Sequence, residues 1–173
     1  MSESANVRIR SAGENDAPAL LAIYAPYVER TAVSFETAVP SVEEFAARIR
    51  KSVAQWAWLV AERDGRCLGY AYGSTHRERA AYRWSVETSA YVDASIQRRG
   101  VGKALYFALI DALIARGYCN AFAGMTVPND ASMALHRSVG FEPIGVFRRV
   151  GFKFGAWHDV AWVQRRLSEA PPA

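Results

Sequence analysis

A basic, glycine-containing segment near the middle of the chain is the sequence feature that most constrains the fold. It follows an alternating, strand-like run at residues 86–92 and leads into a long helical pattern of apolar residues. Gly100 and Gly102 let the backbone approach a ligand without a Cβ in the way, and the first turn of a helix has unpaired N–H groups that bind anions. Arg98, Arg99 and Lys103 add positive charge at the same place. The segment therefore predicts a binding site for phosphate.

Spacing excludes two common kinds of phosphate-binding loop. A Walker loop needs a glycine five residues before Gly102 and a Ser or Thr after its lysine, and the chain has Gln97 and Ala104 at those positions. A dinucleotide-binding turn needs a third glycine three residues after Gly102, where Leu105 stands. An ordinary glycine turn before a surface helix is the alternative that this segment alone leaves open.

The periodicity of apolar residues predicts an α/β order of elements. Strands are predicted at residues 7–11, 56–62, 66–76, 84–93, 120–127, 141–150 and 159–167. Helices are predicted at about 16–29, 42–53, 101–116 and 130–139, with Ser41 and Glu44 spaced as a capping box before the second helix. Asp64 and Gly65 predict a hairpin turn, and residues 31–40 a structured loop. The second to fourth strands are expected to form an antiparallel meander.

Length and composition bound the class of protein. With 173 residues, 51% of them hydrophobic, we expect one domain over residues 1–173, with a core at about 7–167 and frayed tails. No apolar run reaches the roughly 18 residues of a membrane-spanning helix, and the first residues lack a signal-peptide pattern. A cytoplasmic protein without a membrane partner is therefore expected.

Metal and nucleic acid are not expected ligands. The two cysteines and three histidines lack the spacing of metal ligands. The formal charge is only +4 and the basic residues are dispersed, which argues against a nucleic-acid partner. Small anionic ligands explain the basic clusters equally well.

The pattern Q-x-x-G-x-G at residues 97–102 resembles the coenzyme A loop of the GNAT superfamily of acetyl-CoA-dependent N-acetyltransferases. In that family the loop holds the coenzyme pyrophosphate through backbone amides. The resemblance implies acetyl-CoA as cosubstrate and the GNAT fold, a mixed, mostly antiparallel sheet of about seven strands flanked by about four helices. It implies coenzyme contacts for Gln97, Arg98, Arg99, Gly100, Val101, Gly102, Lys103 and Ala104.

A second GNAT-like element lies at residues 129–136, ahead of a Gly-Phe pair. It resembles the family pattern N-x-x-S/A-x-x-x-Y, with His136 in place of the tyrosine. The resemblance implies that Asn129 and Ser132 contact the pantetheine arm and that His136 protonates the departing thiolate, because imidazole titrates near neutral pH. A helix histidine bonded to a backbone carbonyl is the alternative for His136.

Four further segments, at residues 33–37, 76–79, 81–84 and 86–92, resemble the phosphinothricin and methionine sulfoximine N-acetyltransferase branch of that superfamily. Enzymes of that branch acetylate the α-amino group of small amino acids with a tetrahedral sulfur or phosphorus group on the side chain, and they usually form homodimers. The resemblance implies this activity, by direct attack of the amine in a ternary complex. The alternatives are another GNAT acceptor (a protein N-terminus, a lysine or a polyamine) and a non-catalytic acyl-CoA-binding sensor.

The same resemblance assigns the chemistry to the strand at residues 84–93. Glu87 is the expected general base, because an α-ammonium group must lose a proton before it attacks a thioester. A solvent-facing strand residue is the alternative for Glu87. The N–H of Val92 is the expected donor to the oxyanion, and Tyr91 and Val92 are expected to line the coenzyme arm.

The acceptor is expected to bind beside that strand. Arg77 and Arg79 are expected to bind its α-carboxylate, since guanidinium groups bind carboxylates in a bidentate fork. Phe35 and Tyr82 are expected to wall the pocket for its side chain. Solvated loop arginines are the alternative for Arg77 and Arg79.

Overall fold

The computed structural model describes residues 7–96 and 100–172, and these form one mixed α/β unit around a central sheet. In chain order, the elements are β1 (Arg8–Ser11), α1 (Ala17–Arg30), α2 (Val42–Gln55), β2 (Trp58–Arg63), β3 (Arg66–Thr75), β4 (Ser85–Val92), α3 (Val101–Ala115), β5 (Asn120–Val127), α4 (Asp130–Ser138), β6 (Glu142–Lys153) and β7 (Ala156–Arg166). A short 3-10 turn, Ala80–Tyr82, lies between β3 and β4. The predicted order of strands and helices is confirmed.

The seven strands form a single sheet in the order β1-β2-β3-β4-β5-β7-β6. β2 to β4 form the expected antiparallel meander, which β1 extends by pairing antiparallel to β2, and β4 pairs with β5 in parallel. That pairing joins Ser85, Val86 and Glu87 of β4 to residues 120–122 of β5 and goes no further along the described strands. β4 and β5 therefore separate after Glu87, which leaves one side of the second half of β4 open.

The helices cover both faces of the sheet. Alternate residues of a strand point to opposite faces, and Trp58 and Val60 of β2 pack in a core cluster with α1 and α2, whereas Ala57 and Ala61 pack in a second cluster with α3. The helix ends follow their sequence signals. Ser41 and Glu44 form the predicted capping box, with the Glu44 N–H 3.1 Å from Ser41 Oγ and the Ser41 N–H 2.8 Å from Glu44 Oε2.

The C-terminal hairpin is longer than the sequence predicts. The predicted strands ended at residue 150 and resumed at residue 159, whereas β6 and β7 continue to a two-residue turn at Phe154 and Gly155. Both turn residues have positive φ, 51° and 73°. A phenylalanine rarely adopts that conformation, so Phe154 stands where Asn or Asp would signal a hairpin turn before Gly155.

β6 also contains a bulge that shapes the adjoining surface. Its register against β7 shifts between Phe147 and Gly151. Within the bulge, Arg149 has a positive φ of 50°, and its N–H donates to Asp159 Oδ1 at 2.8 Å. The Asp159 carboxylate also accepts a bond from Arg148, and together these bonds hold the bulge in place.

No helix in the described part of the chain is long and apolar enough to cross a membrane.

Candidate active site

Two cavities meet beside the open half of β4. The first, which we name the α3 cavity, has a volume of about 410 Å³ and lies at the start of α3. The second, which we name the sheet cavity, has a volume of about 590 Å³ and lies against β4, β5 and the β6–β7 hairpin. Val33 and Tyr91 line both cavities, so the two spaces adjoin.

The α3 cavity contains the described part of the predicted phosphate loop. Gly100, with φ of 81°, is the N-cap of α3, and Val101, Gly102 and Lys103 line the cavity with it. The N–H of Ala104 already bonds to the Gly100 carbonyl at 3.0 Å. The N–H groups ahead of it in the first turn are thus the ones left to bind an anion.

The rest of the predicted loop falls into two groups. One residue is described but does not line the cavity, and three residues lie outside the described part of the chain. Ala104 does not line the cavity, and its amide bonds to the Gly100 carbonyl within the helix, so the structure does not bring that amide to the coenzyme space; its coenzyme contact stays a prediction. Gln97, Arg98 and Arg99 lie outside the described residues, and their contacts stay predictions.

Gly102 keeps room between α3 and α4. A Cβ at Gly102 would lie 3.1 Å from Leu135 Cδ2 and 3.7 Å from Val92 Cγ2. Since Leu135 and Val92 also line the cavity, a larger residue at position 102 would narrow the space in which the helix amides approach a ligand. The cavity therefore fits a pyrophosphate at the helix end, with apolar walls for a linear arm.

The open edge of β4 presents backbone donors to this space. The Asp93 N–H bonds to the Leu68 carbonyl of β3 at 2.9 Å. Backbone groups of successive strand residues point to alternate sides, so the N–H groups of Ala90 and Val92 point away from β3, toward the gap left by β5. The Val92 carbonyl accepts a bond from Tyr27 Oη at 2.6 Å, which fixes this end of the strand.

α4 brings Asn129 and Ser132 to the α3 cavity, as predicted, but not His136. Asn129 Oδ1 caps α4 by accepting the Ser132 N–H at 3.1 Å. His136 is buried, with Nδ1 donating to the Ser132 carbonyl at 2.8 Å and Nε2 bonded to Tyr106 Oη at 2.7 Å. Burial lowers the pKa of His136, which favours the neutral ring.

Direct protonation of a thiolate by His136 is therefore not supported by its position. Both ring nitrogens are occupied, and the geometry is that of the alternative reading, a helix histidine bonded to a backbone carbonyl. Ser132 Oγ lies 3.4 Å from His136 Nδ1 and is the side chain of this pair that reaches the cavity.

Glu87 lines the sheet cavity together with Ser89 and Tyr91 from the same face of β4. Its Oε1 lies 3.1 Å from His76 Nδ1 and 4.0 Å from Arg77 Nη1. Burial raises the pKa of Glu87, and the bond from His76 and the charge of Arg77 oppose that rise. The carboxylate thus lies at the wall of a cavity, with its side chain 28% exposed.

The loop at residues 31–40 forms another wall and is held by polar contacts. Glu36 accepts bonds of 2.6 Å from both Tyr24 Oη and Arg48 Nη2. Burial of Glu36 opposes its ionisation, but these two donors outweigh burial and lower its pKa. Lys153 Nζ donates to the carbonyls of Val28, Thr31 and Ser34 at 2.6, 2.9 and 2.7 Å. The loop is therefore tied to α1, α2 and β6.

The structure brings only some of the predicted acceptor residues to the sheet cavity. Phe35, Arg77 and Glu87 line it, whereas Arg79 and Tyr82 do not. Arg79 is exposed at the start of the 3-10 turn, and Tyr82 packs edge-on against His76, with ring centroids 5.7 Å apart. The structure therefore does not bring these two side chains to the cavity wall, and their contacts with the acceptor stay predictions.

Sequence reasoning missed the wall formed by the C-terminal half of the sheet. Its residues come from β5, β6 and β7 and include Gly124, Thr126, Phe147, Val150, Val160 and Trp162. Gly124 is needed for this wall, because a Cβ there would lie 3.1 Å from Trp162 Cζ2. The bulge in β6 contributes Val150 to the wall. The sequence pattern does not predict that bulge.

No group of three or more His, Cys, Asp or Glu side chains could hold a metal ion among residues 7–96 and 100–172. Among these residues the site offers a carboxylate at a cavity wall, backbone N–H groups that point into the gap beside β4, and two adjoining cavities.

Comparison with known proteins agrees with this geometry. The family model described as the acetyltransferase (GNAT) domain matches residues 9–162. A phosphinothricin N-acetyltransferase from Streptomyces viridochromogenes is 36% identical over 167 residues, which cover 96% of this chain and 91% of the relative. An L-methionine sulfoximine/L-methionine sulfone acetyltransferase from Pseudomonas paraeruginosa is 38% identical over 164 residues, covering 92% and 94%.

A solved structure gives the same fold. It is a GNAT superfamily phosphinothricin acetyltransferase from Sinorhizobium meliloti in complex with AcCoA, with a TM-score of 0.91 and 34% identity. The match covers 96% of this chain and 93% of that one.

Proposed function

The chain belongs to the GNAT acetyltransferase family, and we propose that it acetylates the α-amino group of a small amino acid with a compact, tetrahedral polar group at its side-chain end. Phosphinothricin and methionine sulfoximine, which the names of its relatives mention, are acceptors of this kind. The observation that carries the proposal is the junction of the two cavities at Val33 and Tyr91, with Glu87 in one and the start of α3 in the other. An amine and a thioester bound in adjoining cavities can meet there.

In the coenzyme part of the site, backbone N–H groups bind the pyrophosphate, and side chains play a smaller part. Bound acetyl-CoA supplies an activated acetyl group as a thioester. The N–H groups of Val101, Gly102 and Lys103 bind its pyrophosphate, supported by the positive end of the α3 dipole. Ala90, Val92 and Leu135 form the apolar side of the channel for the pantetheine arm. Roles for Gln97, Arg98 and Arg99 remain predictions.

Glu87 takes the proton of the acceptor ammonium. An α-amino group is mostly protonated at neutral pH, and only the free amine attacks a carbonyl carbon. The raised pKa of Glu87 makes its carboxylate a better proton acceptor than an exposed one. The N–H of Val92, which points into the gap beside β4, then donates to the carbonyl oxygen as negative charge develops on it.

The departing thiolate needs a proton donor from the α3 cavity. Ser132 is the side chain of the α4 motif that reaches this cavity, with Oγ 3.4 Å from His136 Nδ1. We therefore assign His136 a positioning role: its bond to the Ser132 carbonyl holds the turn of α4 from which the Ser132 hydroxyl reaches the thiolate. The proton that the thiolate gains is the one that the attacking nitrogen releases as the tetrahedral intermediate collapses.

The sheet cavity suits an amino acid with one anionic end and an apolar stem. Arg77, which is half exposed at 52%, stands beside Glu87 and offers a guanidinium fork to the α-carboxylate. Phe35, Phe147 and Trp162 supply apolar surface for the methylene groups of the acceptor. Arg79 and Tyr82 have no part in this assignment.

A second copy of the chain is the proposed occupant of the apolar surface of the C-terminal hairpin. β6 is an edge strand, and an edge that is both apolar and unpaired favours association. Large exposed apolar side chains gather on the hairpin: Ile144, Val146, Phe147, Val150, Phe152, Phe154 and Trp157. Phe147 and Val150 also line the sheet cavity, so a homodimer through this face borders the acceptor site.

Two further expectations belong with this proposal. We propose that residues 1–173 act as one domain, since the described strands share a single sheet. We also propose that the enzyme works in the cytoplasm, where a protein that consumes acetyl-CoA finds its cosubstrate.

A turnover screen tests the proposed function. Release of free coenzyme A thiol from acetyl-CoA is measured with methionine sulfoximine, methionine sulfone, phosphinothricin, polyamines and short peptides as acceptors. The proposal expects the highest kcat/KM for the amino acid analogues. A clear preference for peptides or polyamines would assign another acceptor, and acetyl-CoA binding without turnover of any amine would favour a non-catalytic sensor.

A further inference from the structure

His76 lies against Glu87 but outside the sheet cavity. Its imidazole stacks on Phe122, with ring centroids 4.2 Å apart and 9° between the planes, and Tyr82 meets it edge-on. The side chain is only 12% exposed. Ring contacts on two sides therefore restrict the imidazole to one position.

The stack places the ring beside the carboxylate. Phe122 of β5 is the cross-strand partner of Glu87 in the parallel β4–β5 pair, so a ring that rests on Phe122 lies next to Glu87. His76 Nδ1 and Glu87 Oε1 are 3.1 Å apart. A carboxylate only accepts hydrogen bonds, so the proton of this bond lies on Nδ1 when Glu87 is ionised.

We propose that His76 is a positioning residue for acetyl transfer: it holds Oε1 of Glu87 and leaves Oε2 to accept the proton of the acceptor amine. The inference rests on the proposed function, because it takes Glu87 as the base. Within the described residues, the bonds to the Glu87 carboxylate all reach Oε1. His76 itself does not line the sheet cavity, so it acts through Glu87 and not on the amine.

The same bond affects the charge of the base. Burial favours the neutral form of Glu87, and the His76 hydrogen bond favours the ionised form that accepts a proton. The other charged or titratable groups around this pair are Arg77, 4.0 Å from Oε1, Tyr82 against the imidazole, and Tyr72 on β3. Without the His76 donor, the carboxylate would need a higher pH to become ionised.

Two substitutions separate the donor from the ring. His76→Phe keeps an aromatic ring to stack on Phe122 but removes the Nδ1 donor. His76→Asn loses the ring but keeps an amide N–H near the Nδ1 position. A merely structural role for His76 predicts that Phe is tolerated and Asn is harmful, whereas the positioning role predicts the reverse.

The pKa of the Glu87 carboxyl is measured by ¹³C NMR on glutamate-labelled protein, with Glu87→Gln to assign the signal. Loss of one hydrogen bond to a charged group corresponds to about one pH unit. His76→Phe is expected to raise the Glu87 pKa by about that amount, and His76→Asn to leave it near the unmodified value. The acid limb of kcat/KM against pH, measured with methionine sulfone at saturating acetyl-CoA, is expected to move in parallel.

The outcomes distinguish this inference from the proposed function. An unchanged Glu87 pKa in His76→Phe, in an enzyme that Glu87→Gln inactivates, overturns the role of His76 and leaves the base in place. Full turnover by Glu87→Gln overturns the base assignment and, with it, the positioning role. A raised pKa and a shifted acid limb in His76→Phe, both restored in His76→Asn, support the inference.

Discussion

Lys153 Nζ, at the end of β6, donates a hydrogen bond of 2.7 Å to the carbonyl oxygen of Ser34, in the loop that lines the sheet cavity. The same ammonium group donates to the carbonyls of Val28 and Thr31. One buried side chain therefore joins the C-terminal hairpin to the end of α1 and to the loop at residues 31–40. The hairpin is therefore directly bonded to the loop that lines the sheet cavity.

Lys153→Met is expected to loosen this loop. Three carbonyl oxygens lose their donor, and an unsatisfied buried polar group costs about 1–3 kcal/mol of unfolding free energy. Thermal unfolding measures this loss, and steady-state kinetics should show a raised KM for the acceptor with little change in acetyl-CoA affinity. Lys51→Met, at an exposed position of α2, is the matched control. Equal stability of the two variants would contradict the role of Lys153.

Gly102→Val is expected to abolish coenzyme binding. The added side chain meets Leu135 and narrows the α3 cavity at the place where the helix amides approach the pyrophosphate. In the unmodified protein, acetyl-CoA at 100 times its Kd should raise Tm by about 5–10 °C. That shift should vanish in Gly102→Val and persist in Ala104→Val, whose site does not line the cavity. An undiminished rise in Tm on adding acetyl-CoA to Gly102→Val would contradict pyrophosphate binding by the first-turn amides of α3.

Glu87→Gln is expected to reduce turnover by about a hundredfold to ten-thousandfold, the usual effect of losing a general base, with acetyl-CoA affinity intact. Burial raises the pKa of Glu87. In the unmodified enzyme, the acid limb of kcat/KM against pH should therefore lie at a higher pH than the ordinary pKa of a glutamate. Activity falls as pH drops through that pKa, because the base becomes protonated.

The defect of Glu87→Gln should shrink at high pH, where the amine loses its proton without help. Glu78→Gln, in the exposed loop after His76, is the matched control and should keep full activity. Unchanged turnover of Glu87→Gln at pH 7 would show that another group is the base.

Arg77→Ala is expected to raise the acceptor KM, because the α-carboxylate loses its guanidinium partner. Arg79→Ala should have little effect, since Arg79 does not line the sheet cavity. Steady-state kinetics on both variants with the same acceptor measure the difference. A larger rise in acceptor KM for Arg79→Ala than for Arg77→Ala would contradict the assignment of Arg77 as the carboxylate partner.

Phe152→Lys is expected to convert a homodimer into monomers. Phe152 is 59% exposed on the hairpin and contacts Trp157 with ring centroids 5.2 Å apart. A charge buried at an apolar interface without a partner is strongly unfavourable. Sedimentation equilibrium measures the assembly state, with Phe107→Lys on the exposed face of α3 as control. A monomeric unmodified protein, or a Phe152→Lys dimer, would contradict the proposed interface.

The fold could be predicted from the sequence because its signals are local. Ser41 and Glu44 cap α2 as their spacing predicts, and Asp64 with Gly65 turns the chain between β2 and β3. The C-terminal turn at Phe154 and Gly155 was missed, since it requires a phenylalanine at positive φ, which tertiary contacts must hold in place.

The site was predictable only in part, because cavities are formed by residues that are distant in sequence. Short sequence motifs identify both the glycine turn before α3 and Glu87 on β4. Both lie at cavity walls in the structure. His136 stands at the tyrosine position of its pattern, yet it is buried against Tyr106 and does not line the α3 cavity. The contact of His76 with Glu87 depends on the fold of a loop over Phe122 of β5, which no local pattern specifies.

A comparison of a free amino acid with its ester tests whether the acceptor binds through its α-carboxylate. The kcat/KM of the unmodified enzyme is measured for methionine sulfoximine and for its methyl ester, with saturating acetyl-CoA, and the product is identified as the α-N-acetyl compound by NMR. Because the ester cannot pair with Arg77, its kcat/KM should fall by about tenfold or more, mostly through KM. Equal kcat/KM for acid and ester, or acetylation at another nitrogen, would contradict α-N-acetylation of a free amino acid in this site.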